Sequence, residues 1–572
     1  MASTQSDTTL LDRLDEFLQL YCRDELAELA QSYPNDQQSL VIDFGDLLQF
    51  DPDLADDYLQ HPEQIREFIK ESLGQTGLPL DVDLSDAGVR VRGLPETRTH
   101  NVSDLRRMTV GESIALHGQV SNRTGVRIAP SIAHYECQRC GTPNKVHQDL
   151  FSIELQEPHE CQGCERQGPF DLDEDASKLR NIQLARLALP PEQSNGESET
   201  TVDVLLQGDA CGGLDAGDRV TVTGQHSLDD DSRVGFGHRL RGEHVEVDET
   251  SFQDIEVAEH LDDVRALANG EFGDPFDLLV ESIAPSIIGN EDIKRSLVLQ
   301  LFGGIRTTSP DGTSTRGDVH VLLIGDPGTA KSTFLEDIER KAPNALTVSG
   351  KGATAAGLTA SAAQTDFGGS SEWSLDAGAM VLADGGVACV DEIDKVDDNA
   401  LQSLHQALSK QRVSINKAGI NTELPTRTAM LAAGNPSYGR FEAFESTAEQ
   451  IDLSPTLLSR FDLIWTLDDK PDKETDMQVA EGMMDAHDQA IRYSRGDADA
   501  DEMDIAPKVR VEVLRAWIAH AKQTIMPRWP DDEARSELVD SFVSFRMAGK
   551  GSDNPIPMTY RALESQRRLA EA

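Results

Sequence analysis

Val319-His320-Val321-Leu322-Leu323-Ile324-Gly325-Asp326-Pro327-Gly328-Thr329-Ala330-Lys331-Ser332-Thr333 is the stretch whose reading decides the fold. Its first six residues form an apolar run of the kind a buried strand needs. A glycine-containing loop follows, and a helical pattern begins at Lys331. Strand, loop and helix in that order let backbone N–H groups turn inward on phosphates at a helix N-terminus. In this reading Gly325, Asp326, Pro327, Gly328, Thr329, Ala330, Lys331, Ser332 and Thr333 cradle ATP. Lys331 reaches the β and γ phosphates, and the Ser332 hydroxyl binds Mg2+. One residue departs from the common phosphate-loop pattern, which has glycine where this chain has Ala330.

Working outward, a second apolar strand, Gly386-Val387-Ala388-Cys389-Val390, ends in Asp391-Glu392. Two carboxylates at the carboxyl end of a sheet strand lie where open α/β folds place ligand chemistry. Asp391 can hold magnesium through water while Glu392 orients the attacking water. The plain alternative is a helix N-cap, and the phosphate loop upstream favours the chemical reading. Ala429 to Gly434 is a third apolar run, ending in Asn435-Pro436. Asn435 suits positioning of the lytic water, or simply a turn. Arg460 stands among apolar residues in Leu458-Ser459-Arg460-Phe461-Asp462; its rigid fork fits a phosphate. Strand and helix patterns alternate from residue 276 to 485, the mark of an α/β ATPase core.

Upstream, residues 1–97 carry amphipathic patterns (Leu10, Leu11, Leu14, Phe17, Leu18) that predict a small helical domain. Residues 98–250 change to short β-like runs punctuated by glycine and aspartate, which predict a β-barrel. Set within it, at about 134–170, are Cys137-x-x-Cys140 and Cys161-x-x-Cys164. Four soft thiolates at that spacing complete a tetrahedron around Zn2+ with no open position, so the centre is structural. His134, His147 and His159 are read as surface or supporting residues, and Cys22, Cys211 and Cys389 as small apolar ones. Residues 190–200 read as an exposed loop, 251–275 as an acidic linker, and 486–572 as a helical lid.

The 572 residues carry 52 basic and 101 acidic side chains, a formal charge of -49. Taken alone this argues against a nucleic-acid partner. The acid is spread over the whole chain and arginine far outnumbers lysine, a composition suited to a high-salt cytoplasm. In molar salt the screening length is roughly 3 Å, so binding rests on a few close contacts. No signal peptide and no apolar run long enough to span a bilayer are present, which points to a cytoplasmic protein without a membrane partner.

From about residue 100 onward the chain resembles the archaeal, haloarchaeal-type minichromosome maintenance (MCM) helicases, a branch of the AAA+ ATPases. The resemblance is carried by GDPGTAKS from Gly325, whose alanine is the family's own variant, by GLTASAAQTDFGGSSEWSLDAGAMVLADGG from Gly357, and by VDEIDK from Val390. QRVSINKAGI from Gln411 and SRFDLIW from Ser459 add to it. It implies a replicative DNA helicase that hydrolyses MgATP at the subunit interfaces of a homo-oligomeric ring, hexamer or double hexamer, around single-stranded DNA, alongside other replication proteins. Lys331, Ser332, Asp391, Glu392 and Asn435 then serve one subunit's nucleotide, while Arg460 is a finger and Arg561 a second sensor acting on the neighbour's.

The same resemblance makes the β-barrel an OB-fold whose zinc knuckle helps ring assembly. It also makes Arg412 to Ile420 a channel hairpin, with Arg412 and Lys417 as DNA contacts. A second DNA hairpin falls near Asp229 to Gly235, where Arg233 stands among three aspartates against the basic residues of relatives. Relatives also carry a winged-helix domain after the lid, absent here, which suggests a divergent or shortened paralogue. The alternatives are a paralogue that binds DNA and ATP without processive unwinding, and a protein-remodelling or chelatase-like AAA+ ATPase.

Overall fold

The structure is a computed structural model. It describes the chain apart from residue 1 and segments 34–36, 76–81, 83, 85–86, 106–108, 149–154, 191–200, 230–236, 248–251, 368–369, 418–419, 443–448, 496–502, 504 and 549–558. The expected loop at 190–200 and Arg233 therefore fall almost wholly or wholly outside the described residues. Two compact units emerge, one built from residues 1–190, 194–248 and 362–376, the other from 191–193, 249–361 and 377–572.

In the first unit the helical expectation for residues 1–97 is met by helices Ala2–Tyr21, Arg23–Ser32, Phe44–Phe50, Pro52–Gln60 and Pro62–Gln75. The helix of residues 52–60 begins as its sequence dictates. Pro52 occupies the first turn, where its missing N–H costs nothing, and the Asp51 carboxylate accepts from the Asp53 N–H at 3.0 Å. Phe17, Leu18, Leu29, Leu47, Tyr58 and Ile69 pack into one core. The unit adds a feature that composition concealed, a parallel pairing of Ser39–Asp43 with Gly88–Arg92. Strands this short leave no periodic signal in a sequence.

The barrel closes through one long strand. Ser113–Thr124 pairs antiparallel with both Arg219–Asp229 and Phe170–Ala188, and Thr201–Gln207 and Gly237–Val247 complete the circuit. Ile114, Leu116, Val120, Leu187, Val204, Leu206 and Val222 fill the interior. Five strands closed in this way form an OB barrel. Strands Arg127–Cys137 and Pro143–His147 extend from it toward the cysteines. One difference from the sequence-based boundaries is that residues 362–376, expected inside the ATPase core, belong to this unit. Strand Ser370–Ala377 pairs antiparallel with Ser113–Thr124, Ser374 opposite Thr124, so an exposed strand edge is satisfied by another.

The second unit is built on a five-stranded parallel sheet, in the order Ala345–Ser349, Val387–Asp391, Ala429–Gly434, Val321–Gly325, Leu463–Leu467. Strand Val321–Gly325 is buried along its whole length, which explains its unbroken apolar run. The expected linker at 251–275 is largely helix Phe252–Ala268. Its Val264 joins the same core as Val513, Leu514 and Ile518 of helix Val511–Thr524, and Arg510 pairs with Asp263 at 2.9 Å. Acidic composition had masked this buried stripe. The lid boundary also shifts, because residue 486 falls within helix Lys473–Ser494. Helices Val511–Thr524, Asp532–Ala548 and Tyr560–Glu571 follow.

A buried carboxylate ties the helices of the first unit to its barrel. Glu243 on strand Gly237–Val247 meets Arg66 of helix Pro62–Gln75 at 2.8 Å, with the Tyr58 hydroxyl donating at 3.5 Å. Burial pushes the Glu243 carboxyl up to about 7 although Arg66 pulls the other way. A carboxyl raised above its ordinary 4.5 favours the fold most below that value, and the contribution is lost as pH climbs through about 7. Hydrogen exchange across residues 52–75 should therefore show wild-type protection falling between pH 5 and pH 8 relative to Glu243→Gln. Equal pH profiles for the two proteins would contradict this.

Candidate nucleotide site and metal centre

The phosphate loop sits at the carboxyl end of strand Val321–Gly325, an interior strand of the sheet and the topological position for ligand chemistry in an open parallel sheet. Gly325 is needed because a Cβ there would lie 2.7 Å from the Leu467 Cβ and 2.8 Å from its carbonyl oxygen. Gly328 adopts φ +87, and Ala330 adopts φ +62 at the position where glycine is usual. A left-handed alanine costs on the order of 1 kcal/mol, a strain held by the surrounding loop.

Lys331 opens helix Lys331–Lys341, and its Nζ donates to the carbonyls of Gly325 at 2.8 Å and Asp326 at 2.7 Å. Burial lowers the Lys331 ammonium's pKa while Asp391, Asp326 and Asp394 oppose that shift. The Ser332 hydroxyl donates to Asp391 Oδ2 at 2.7 Å, bringing together the two expected magnesium ligands. Glu392 holds φ 52, another left-handed residue at the site, and its N–H donates to Asp391 Oδ1 at 2.8 Å. The Asn435 N–H donates to Asp394 Oδ1 at 3.0 Å, which fixes the end of its strand beside the carboxylates. Lys331, Ser332, Asp391, Glu392 and Asn435 are thus gathered at one edge of the sheet.

Two findings refine the expected set. The Asp326 carboxylate does not face the phosphate side, because it accepts from the N–H groups of Phe441 at 2.8 Å and Asp469 at 3.0 Å and so pins the loop. Only its backbone remains for the cradle. Asp394 was missed, and its short spacing after Asp391-Glu392 was the one available signal.

Arg460 and Arg561 lie elsewhere. The Asp462 N–H donates to the His320 carbonyl at 2.8 Å, which places the Arg460 segment at the amino end of strand Val321–Gly325. Five residues of strand separate that end from the phosphate loop, roughly 16 Å. Arg561 Nη1 donates to Ser459 Oγ at 2.7 Å, and Arg460 Nε approaches His405 Nε2 at 3.4 Å. Burial first and the neighbouring Arg561 second lower the Arg460 guanidinium's pKa. The chain therefore brings the two arginines together and keeps them away from its own phosphate loop.

Strand Arg412–Lys417 pairs antiparallel with Ile420–Pro425, confirming a hairpin, with Lys417 exposed at its outer end opposite Ile420. Arg412 is at the base, paired with Glu423 at 3.0 Å. The two cations stand at opposite ends of one strand and do not form a common patch.

The four cysteines converge. Their Sγ atoms all lie within 4.8 Å of one another, with Cys140–Cys161 at 3.5 Å and Cys137–Cys164 at 3.8 Å. A tetrahedral zinc with bonds near 2.3 Å requires sulfurs about 3.8 Å apart, so the donor set fits that ion. The Gly163 N–H donates to Cys161 Sγ at 3.3 Å and Asn144 Nδ2 does so at 3.8 Å, the kind of outer support thiolates receive. Among the described residues no histidine joins the group.

An OB barrel bearing a four-cysteine centre, followed by a parallel-sheet phosphate-loop domain and a helical lid, defines a nucleotide-hydrolysing motor of the AAA+ class. Models for the MCM OB domain, the MCM P-loop domain and the MCM AAA-lid domain match residues 101–229, 261–487 and 512–572. The Minichromosome maintenance protein MCM of Saccharolobus solfataricus is 35% identical over 94% of this chain and 77% of its own length. DNA replication licensing factor Mcm2 of Drosophila melanogaster is 30% identical over 99% of this chain and 65% of its own. DNA replication licensing factor MCM4 of Arabidopsis thaliana is 31% identical over 93% and 64%. The chain belongs to the MCM family and is an ATPase of the helicase class. It spans about two thirds of the length of those two licensing factors. Among the described residues no helix is long and apolar enough to cross a membrane.

Reduced, freshly purified protein should contain about one zinc per chain by elemental analysis, and Cys161→Ser should lose it. Metal-free wild-type protein that keeps its fold would contradict the assignment.

Proposed function

We propose that the chain is the motor subunit of a ring-shaped DNA helicase acting in replication, with each ATP site completed by the neighbouring subunit. The observation that carries this reading is the separation of Arg460 and Arg561 from their own phosphate loop by the length of strand Val321–Gly325. A charged pair placed there is separated from its own nucleotide, which supports a role toward a neighbouring subunit's.

In this mechanism loop N–H groups and Lys331 bind the ATP phosphates, and Ser332 and Asp391 hold Mg2+, which supplies charge neutralisation at the phosphates. Glu392 accepts a proton from the attacking water, and Asn435 keeps that water in line with the γ-phosphate. Arg460 and Arg561 from the next subunit meet the charge that develops in transfer, a contribution typically worth about a thousandfold or more. Zinc held by Cys137, Cys140, Cys161 and Cys164 stabilises the barrel extension and takes no part in hydrolysis. Lys417, exposed at the end of its hairpin, is the candidate contact to a DNA strand in the ring's channel. Arg412, at the base of the hairpin, stands at the far end of the strand from that contact.

The charge of -49 belongs to the same reading. At 0.1 M salt the Debye length is about 10 Å, so acidic subunits repel each other and DNA. Phosphate contacts weaken with salt in proportion to the phosphates neutralised, and here few cations are offered. Repulsion therefore dominates, as suits a haloarchaeal cytoplasm.

Mixing Lys331→Ala with Arg460→Ala subunits, each inactive alone, should restore part of the hydrolysis, because one interface then joins an intact loop to an intact finger. Absence of rescue at every ratio would refute the shared site. Strand displacement should rise from dilute buffer toward molar KCl, and Lys417→Ala should abolish it while sparing basal ATPase. Displacement that peaks near 0.1 M, or survives in Lys417→Ala, would refute the charge and hairpin arguments respectively.

A further inference from the structure

Arg561 is hydrogen-bonded to Ser459, the residue before Arg460, and its charge opposes that of Arg460, so the two need a device that keeps them assembled. That device stands two residues beyond Arg460. The Asp462 side chain has no exposed surface, and it is surrounded by donors from three places in the fold. The His320 N–H donates to Asp462 Oδ2 at 2.8 Å, anchoring the carboxylate to the lead-in of strand Val321–Gly325. Arg316 Nη2 lies 3.2 Å from both carboxylate oxygens and also donates to the Arg460 carbonyl at 2.7 Å. From the lid helix Tyr560–Glu571, Arg568 Nη2 donates to Asp462 Oδ1 at 2.6 Å, joined by the Ser565 hydroxyl.

Arg568 side-chain exposure is only 3%, and that of Arg316 is 15%. Two nearly buried arginines share one fully buried carboxylate, so loss of the Asp462 charge leaves both without it, whereas loss of Arg568 leaves Asp462 still paired with Arg316. The sequence interval explains the rest. Arg561, Ser565 and Arg568 follow at spacings of four and three on one helix face, so the helix that Asp462 grips is the helix that presents Arg561.

We infer that Asp462 is a positioning residue that locks the finger segment to the lid helix, so that Arg460 and Arg561 reach the neighbouring subunit's nucleotide as one preset clamp. It acts through these two side chains and touches no substrate. A clamp assembled in advance spares the transition state the cost of gathering two like charges, and a misplacement of about 1 Å can cost about a hundredfold in rate. The inference rests on the shared-site reading above, and its test separates the two.

The test uses the full chain. Asp462→Asn should lower ATP turnover about a hundredfold with little change in KM, since its own phosphate loop is intact. Its defect should follow the arginine side of the interface. Mixed with Lys331→Ala it should regain hydrolysis, and mixed with Arg460→Ala it should regain none. Arg568→Gln, which cuts the link from the lid end and keeps Asp462 on Arg316 and His320, should behave the same way. The pairing of Lys331→Ala with Arg460→Ala is the control: if it stays inactive, the shared site itself has failed and the clamp falls with it. If the control recovers but neither Asp462→Asn nor Arg568→Gln complements Lys331→Ala, or if either is rescued by Arg460→Ala, the clamp is overturned.

Discussion

The length of one buried strand governs the rest of the molecule. Val321–Gly325 carries the phosphate loop at its carboxyl end, while its amino end meets the segment bearing Arg460. Because the strand is flanked on both sides in the sheet and wholly buried, the distance between its ends cannot be shortened by local motion. A phosphate loop without a nearby arginine is a weak catalyst, since little then opposes the charge that builds on the transferred phosphoryl group. On the shared-site proposal, assembly and hydrolysis become one problem, and the buried Asp462 network is what would keep the donated half in shape.

Charge shapes the same solution. In a chain with about twice as many acids as bases, arginine uses its fork on Asp384, which takes Arg427 Nε and Nη2, and on Asp203, which takes Arg186 Nε at 2.7 Å and Nη2 at 3.1 Å. Lysine appears where a compact point charge suffices, at Lys331 and at Lys341, whose Nζ is held by Asp337 and the Ser282 carbonyl, each at 2.6 Å.

What the sequence disclosed was local. The phosphate loop, the Asp391-Glu392 pair and the two Cys-x-x-Cys pairs each have their geometry written within a few consecutive residues, and the structure assembles all of them. What it concealed depends on distant partners. Nothing near Asp326 signals that residues 441 and 469 claim its carboxylate, and nothing near Asp462 signals that the lid helix about a hundred residues later closes over it. Helix Phe252–Ala268 reads as a linker in the sequence because its acids outweigh a narrow apolar stripe whose core partners include the distant helix Val511–Thr524. Strand pairing places Lys417 and Arg412 at opposite ends of the hairpin.

The most direct measurement of this account is ATP turnover per chain as protein is diluted at fixed molar KCl and saturating MgATP. A site completed between subunits requires turnover per chain to collapse below the concentration at which sedimentation shows the assembly dissociating. Turnover per chain that stays constant through that dissociation would mean that a single chain holds a complete site, and it would contradict the central claim.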